Sequence, residues 1–353
     1  MKNTMEIDEY LKCQNDPVYF INTYVKIPHP IRGKISFTLF QFQMALLMMW
    51  LLHRWTCILK PRQMGVSTLV CAYALWMALF HPFKFITMIS IKESVAKAML
   101  RKVKIMYTNL PDFMKMEVVN GSITDVGTVD RIAFANGSEI NASSATENAG
   151  RSEALSLLIM DEVAFQRYAS GIWASAQPTL STGGRAILLS SAFGVGNFFH
   201  ETYMGAVSAM NTFKSIRLDW RMHPERNETW YRDQLGALGA KRVAQEIDCD
   251  FLNSGYTVFD MAKIRAIEDR LLDHIPISEH EGGRLKVYWP YDMTKHFFIG
   301  ADIAKGNSRD FSAFSIMDEY GKEYACYKGK IGIREFGHLL MHWVNQYDIL
   351  HTV

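Results

Sequence analysis

Two stretches of this chain set acids and cations where phosphate chemistry needs them. Residues 155–165 read Leu-Ser-Leu-Leu-Ile-Met-Asp-Glu-Val-Ala-Phe, an apolar run that ends in two carboxylates. At the tip of a buried strand, Asp161 is placed to hold Mg²⁺, and Glu162 to orient or deprotonate an attacking water. Upstream, residues 58–68 read Ile-Leu-Lys-Pro-Arg-Gln-Met-Gly-Val-Ser-Thr ahead of a long apolar segment. A strand, a loop and a helix in that order form a phosphate cradle. The backbone of Gln63, Met64, Gly65, Val66, Ser67 and Thr68 turns N–H groups toward an anion, and the helix dipole favours the charge. Gly65 admits close approach, and the Ser67 hydroxyl is the natural Mg²⁺ ligand.

The loop departs from the usual pattern at one place. Val66 stands where a lysine normally precedes Ser/Thr, and the first glycine is missing. The positive charge for the β- and γ-phosphates then has to come from Lys60 or Arg62 at the front of the loop, a geometry that suits arginine's bidentate fork. An ordinary strand-to-helix turn is the plain alternative for the loop alone, as a simple turn is for two acids. Their order and separation favour the joint reading as an ATP site.

Further positions support it. Arg151, shortly before the acidic strand, is a candidate cation for the γ-phosphate in its own or a neighbouring subunit. Ser190 and Ser191 end another apolar run and supply small hydroxyls suited to sensing the γ-phosphate. Phe40 and Gln41 precede the first core strand, where an aromatic ring and an amide can stack on and hydrogen-bond adenine.

The elements that must position these residues are legible from the hydrophobic pattern. Residues 55–59, 84–90, 155–160 and 185–190 are short apolar or β-branched runs ending in small or polar residues, as buried parallel strands do. Residues 93–109 have helical periodicity. Asn136-Gly137, within residues 131–141, predicts a two-residue hairpin turn at a sheet edge. The runs 44–52 and 69–80 are too short to span a membrane and read as buried core helices. Two helices are expected over 227–238 and 240–251. The class is α/β, with a mostly parallel central sheet and the chemistry beyond the C-terminal strand ends. Residues 297–302, 311–318 and 323–328 predict three further strands, followed by a helix over 334–346.

Composition limits the rest. With 353 residues, 49% hydrophobic and 21% charged, the chain has the make-up of about two folded domains. A net charge of +2, from 38 basic and 36 acidic residues, gives no global footprint for tight nucleic-acid binding. Five scattered cysteines without a Cys-x-x-Cys pair indicate neither a disulfide framework nor a zinc site. No segment has the make-up of a signal peptide.

In order, Phe40-Gln41, Arg62 to Thr68, Arg151, Met160-Asp161-Glu162, Ser190-Ser191-Ala192 and Asn197-Phe198-Phe199, then Gln245-Glu246, Phe251 and Ser254-Gly255, resemble the large terminase subunit of tailed bacteriophages. The likeness spans residues 10–350. It implies an additional-strand P-loop ATPase followed by a ribonuclease H-like nuclease domain. The expected division is a helical extension (1–35), an ATPase domain (36–252), a linker (253–295) and an incomplete nuclease domain (296–353). In some members the loop cation lies at the front of the loop, as Lys60 and Arg62 do.

The resemblance also implies a function. Such a motor hydrolyses ATP with Mg²⁺ to move double-stranded DNA into a prohead. It works in the host cytoplasm as a ring on the portal vertex, with the portal protein and the small terminase subunit as partners and no membrane attachment. Asp302 matches the first metal-ligand aspartate of the family's nuclease, with Asp310 after it. Two-metal hydrolysis with Mg²⁺ or Mn²⁺ needs further carboxylates, so this chain is expected to lack the nuclease activity that cuts concatemeric DNA in full-length relatives. The alternatives are a helicase-like motor on the same core, or an inactive fragment that only binds a partner.

Overall fold

The computed structural model describes residues 4–119, 127–146, 154–254, 275–304 and 310–349. The chain divides into two units, Met1–Val258 and Phe259–Val353. The first opens with α1 (Thr4–Asn15), α2 (Pro17–Tyr24), a hairpin of β1 (Lys26–His29) and β2 (Gly33–Ser36), and α3 (Gln41–Leu52). Then come β3 (Trp55–Leu59), α4 (Val66–Phe80), β4 (Phe85–Ser90), α5 (Glu93–Thr108), β5 (Arg131–Ala133), β6 (Glu139–Ser144) and β7 (Leu157–Asp161). It continues with α6 (Ala169–Ala176), β8 (Arg185–Ser190), α7 (Phe198–Val207), β9 (Lys214–Arg217), α8 (Glu228–Leu238), α9 (Ala240–Glu246) and α10 (Phe251–Ser254).

The apolar runs pair as a seven-stranded sheet in the order β5-β6-β4-β7-β8-β3-β9. All neighbours are parallel except β5 and β6. Register sets Leu59 beside Ser190 and Leu189 beside Asp161, so β3, β8 and β7 finish at one edge. That edge is where a doubly covered parallel sheet carries its ligands.

Each face has its own core. Helices α1 to α5 cover one face around Trp50, Val70, Leu75, Leu100 and Ile140. On the other face, α6 and α7 enclose Leu158, Met160, Ile172 and Phe199. Because α4 lies between the sheet and the N-terminal helices, its residues from Leu69 to Phe80 are all buried, which is why the segment is apolar all round. Trp76 Nε1 donates to Cys13 O at 2.8 Å and Gln14 Nε2 to Phe80 O at 2.8 Å, fastening α1 to it. No helix among the described residues is long and apolar enough to cross a membrane.

The expected edge hairpin is β5–β6, but its turn is longer than two residues. Phe134 N donates to Ser138 O and Gly137 N to Phe134 O, around Ala135-Asn136-Gly137, with only Gly137 left-handed. A two-residue type I′ turn needs positive φ at both centres, and Asn136 does not adopt it. Instead its Nδ2 donates to Ala78 O at 2.8 Å, anchoring the turn to the end of α4.

The second unit contains β10 (Ser278–His280), β11 (Leu285–Val287), β12 (Phe297–Asp302), β13 (Ser312–Asp318), β14 (Glu323–Gly329) and α11 (Ile333–Gln346). Its sheet, ordered β10-β11-β14-β13-β12, is antiparallel throughout. Phe336, Trp343 and Val344 of α11 close a core with Phe314, Ile316 and Tyr327. Residues 278–287, part of the stretch expected to link the domains, are therefore two strands of this sheet. They are three residues each, too short to register as periodic.

Candidate nucleotide site

After β3 the chain turns sharply. Gln63 (φ 57) and Gly65 (φ 71) both take left-handed backbone, and α4 begins at Val66. Two side chains from distant segments hold this bend. Gln43, buried in the first turn of α3, donates from Nε2 to Met64 O at 3.1 Å, while its Oε1 accepts from Phe40 N at 3.0 Å. Arg226 donates to Arg62 O at 2.9 Å and to Gln63 O at 3.0 Å, with its guanidinium 4.4 Å from the centre of the Trp230 ring. Three consecutive carbonyls are thus tied back. In the first turn of α4, Thr68 N and Leu69 N both donate to Gly65 O, at 3.1 and 3.0 Å, and the N–H groups ahead of them are those a helix N-terminus offers to an anion. Gly65 is favoured by its φ, and a Cβ there would lie 2.7 Å from Gln43 Nε2 and push that amide off Met64 O.

The acidic pair stands beside the loop. Asp161 is the last residue of β7 and is buried, and Glu162 follows in left-handed backbone (φ 57, ψ 46). Such a conformation is costly for a residue other than glycine, and both carboxylates act on the same Lys60 ammonium. Lys60, itself buried, places Nζ 3.0 Å from Glu162 Oε1. Burial pushes the Asp161 carboxyl up, against the pull of the Lys60 ammonium and the nearby Ser67 hydroxyl. Burial works against the Lys60 ammonium too, but Glu162 and Asp161 outweigh it and hold its proton above the ordinary lysine value.

Asp161 Oδ1 and Glu162 Oε2 are both buried without a hydrogen-bond partner. Unsatisfied carboxylate oxygens cost several kcal/mol in low dielectric unless a cation or water completes them, so the pair is built to receive a ligand. Ser67 and Asp161 are the hard oxygen donors that Mg²⁺ prefers.

The end of β8 ties the parts together. Ser190 Oγ accepts from Ala164 N at 3.1 Å, fixing the turn after the acidic pair, and Gln166 Nε2 donates to Asp161 O at 2.8 Å. Ser191 Oγ donates to Glu246 Oε2 at 3.2 Å, and the same carboxylate oxygen lies 2.8 Å from Arg62 Nε. Arg62 N donates to Glu246 O as well. Each front-of-loop cation is therefore held by a carboxylate: Lys60 by Glu162, Arg62 by Glu246.

Lys60, Arg62, Gln63, Met64, Gly65, Ser67, Thr68, Asp161, Glu162, Ser190 and Ser191 thus come together at one sheet edge. Val66 packs into the core rather than facing the loop mouth. Gln41 is exposed at the start of α3, and the amide that touches the loop is Gln43. Phe40 sits edge-on to His223 at 4.9 Å. Arg151 lies outside the described residues. Asp302 and Asp310 belong to the second unit and are exposed, and among the described residues no three acids, histidines or cysteines gather as a metal site. Missed from the sequence were Gln43, Arg226 and the role of Glu246. None of these contacts carried a local signal: Gln43 Oε1 accepts from Phe40 N, but Phe40 has no side-chain oxygen to complete a capping box.

A left-handed glycine loop, an acidic strand tip and an intervening strand bearing Ser190 define an α/β, additional-strand P-loop NTPase fold. A family model described as the N-terminal region of the large terminase subunit, T4likevirus-type, matches residues 57–266, and the chain belongs to that family. Its structure is similar to that of the HK97 bacteriophage large terminase, with a TM-score of 0.54 at 13% identity, covering 96% of this chain and 74% of that one. The large terminase ATPase domain of Thermus phage P74-26 superposes with a TM-score of 0.45 at 21% identity, over 57% of this chain and 89% of that chain.

Proposed function

We propose that this chain is a viral DNA-packaging motor ATPase, which hydrolyses ATP to translocate double-stranded DNA into a prohead. The observation that carries the reading is the Lys60–Glu162 pair set against the partnerless oxygens of Asp161 and Glu162 at the mouth of the glycine loop. The backbone of residues 63–68 binds the phosphates, and Gln41 with Phe40 flanks the adenine. Ser67 and Asp161 would hold Mg²⁺, which supplies charge neutralisation on the β- and γ-phosphates when bound.

Glu162 is the base. While Lys60 holds it, the carboxylate is quenched; when Lys60 turns to a phosphate, Glu162 is released to accept a proton from water. Arg62 makes the same exchange, leaving Glu246 for the terminal phosphate. Because Glu246 also accepts from Ser191, loss of that pair is felt at the end of β8, a route from nucleotide state to the α8–α9 segment. Arg151 is proposed as the cation a neighbouring subunit receives.

Family membership supports the setting: a ring on the portal vertex in the host cytoplasm, partnered by the portal protein and small terminase subunit. Asp302 and Asp310 are proposed as two ligands of a nuclease centre whose Mg²⁺ or Mn²⁺ pair needs acids beyond them.

The test is Glu162→Gln. The amide keeps the shape and a hydrogen bond but cannot take a proton, so turnover should fall by about 10²–10⁴-fold with ATP still bound at near wild-type affinity. ATP-dependent uptake of DNA by proheads should stop in parallel. Undiminished turnover in the variant would remove Glu162 from the chemistry.

A further inference from the structure

The loop lacks a lysine at Val66, and both cations at its front are already engaged by carboxylates. A third cation reaches the site from elsewhere. Helix α5 leaves β4, the strand that flanks β7 on the side away from β8, and shares the core of α4 through Met99, Leu100 and Val103. Cys71 Sγ lies 3.5 Å from Met99 O, which fixes the height of one helix against the other. At that height Lys102 extends from α5 to the first turn of α4, with Nζ 3.4 Å from Thr68 Oγ1. This long contact occupies one of three ammonium donors.

Lys102 is half-buried and forms no ion pair among the described residues. Its charge favours the ionised Asp161 carboxylate, as that of Lys60 does. Lys60 and Arg62 must each give up an acid to reach a phosphate. Among the described residues Lys102 has none to give up.

We infer that Lys102 is a phosphate-binding residue of the nucleotide site, supplying from α5 the ground-state charge that the loop omits at Val66, and directed at the terminal phosphate. The inference rests on the nucleotide reading above. It predicts a division of labour: Lys102 contributes to holding the triphosphate, and the two front cations to turnover.

The experiment compares equilibrium binding of ATP-gamma-S and ADP to the full chain and to Lys102→Met and Lys102→Arg. Methionine keeps an unbranched side chain of similar length and removes the charge together with the donor to Thr68 Oγ1. Lys102→Met should weaken ATP-gamma-S by about tenfold or more, the loss of a charge-assisted contact, with ADP changed less than twofold and the melting temperature of the free protein unchanged. Lys102→Arg should restore most of the ATP-gamma-S affinity. Equal weakening of both nucleotides, or a fall in melting temperature that accounts for the loss, would assign Lys102 to holding Thr68 and overturn the proposal. So would unchanged binding of both. If the wild-type chain binds neither nucleotide, the nucleotide reading itself fails, a result distinct from any produced by the variants.

Discussion

Lys60 and Arg62 are two residues apart and face different environments. Lys60 is buried against Glu162, whereas the Arg62 side chain is 58% exposed and reaches a buried Glu246. Removing Lys60 leaves two acids at the strand tip without their counter-charge, so Lys60→Ala should cost about 3 kcal/mol of stability and abolish turnover together. Arg62→Ala removes an exposed cation and leaves the buried Glu246 carboxylate to Ser191 and Gln245, so it should cost about 1–2 kcal/mol, less than Lys60→Ala, while turnover falls. Thermal unfolding beside steady-state ATP hydrolysis separates the two, and wild-type turnover in both variants would end the idea that the loop's cation has moved forward. The residues of this centre differ in how legible they were. Asp161 and Glu162 could be read because an apolar strand and its terminal acids are contiguous. Gln43 and Arg226 act on Met64 from 21 and 162 residues away, and nothing local marks such a contact.

At the scale of elements, the strands at the sheet centre could be read almost to the residue, since burial on both faces demands an unbroken apolar run. The separate β1–β2 ribbon could not. The β1–β2 hairpin contains Pro28 and Gly33 in short, mostly solvent-facing strands, a pattern that resembles a loop. The segment between β9 and α8 carried no signal either, yet it clamps the phosphate loop. Asn227 caps α8 by accepting from Trp230 N at 2.9 Å, and α8 in turn presents Trp230 as the plate on which Arg226 rests. Arg226→Ala should therefore lower stability by about 2 kcal/mol, from the loss of charged donors to two carbonyls, and weaken ATP binding in step because the loop relaxes. Arg226→Lys recovers little of either, since an ammonium lacks the planar fork. A variant that melts early yet binds ATP normally would separate the clamp from the site.

Across the whole molecule, the thiols report on each unit. Cys13, Cys57, Cys71 and Cys249 lie buried in the first unit, and half-buried Cys326 in the second. Burial pushes Cys13, Cys71 and Cys249 up to about 12, and raises Cys57 and Cys326 as well. The thiolate is the reactive form, so a disulfide reagent at neutral pH should leave the four thiols of the first unit untouched in the native protein. Each unit encloses a core of its own, and rising denaturant should release thiols in two steps, one from Cys326 and four from the first unit. Cys326→Ser then deletes one step and leaves the other. The same shifts set a pH dependence. The folded state holds these protons more tightly than an unfolded chain, whose thiols titrate near about 8.5, so stability is fully present below that pH and declines as pH rises toward 12. The raised Lys60 and Tyr73 act in the same direction. Melting curves from pH 7 to 10 should show the first unit losing stability steadily above about pH 8.5, and a flat profile there, or prompt labelling of all five thiols in the native state, would show that these cores are open to water.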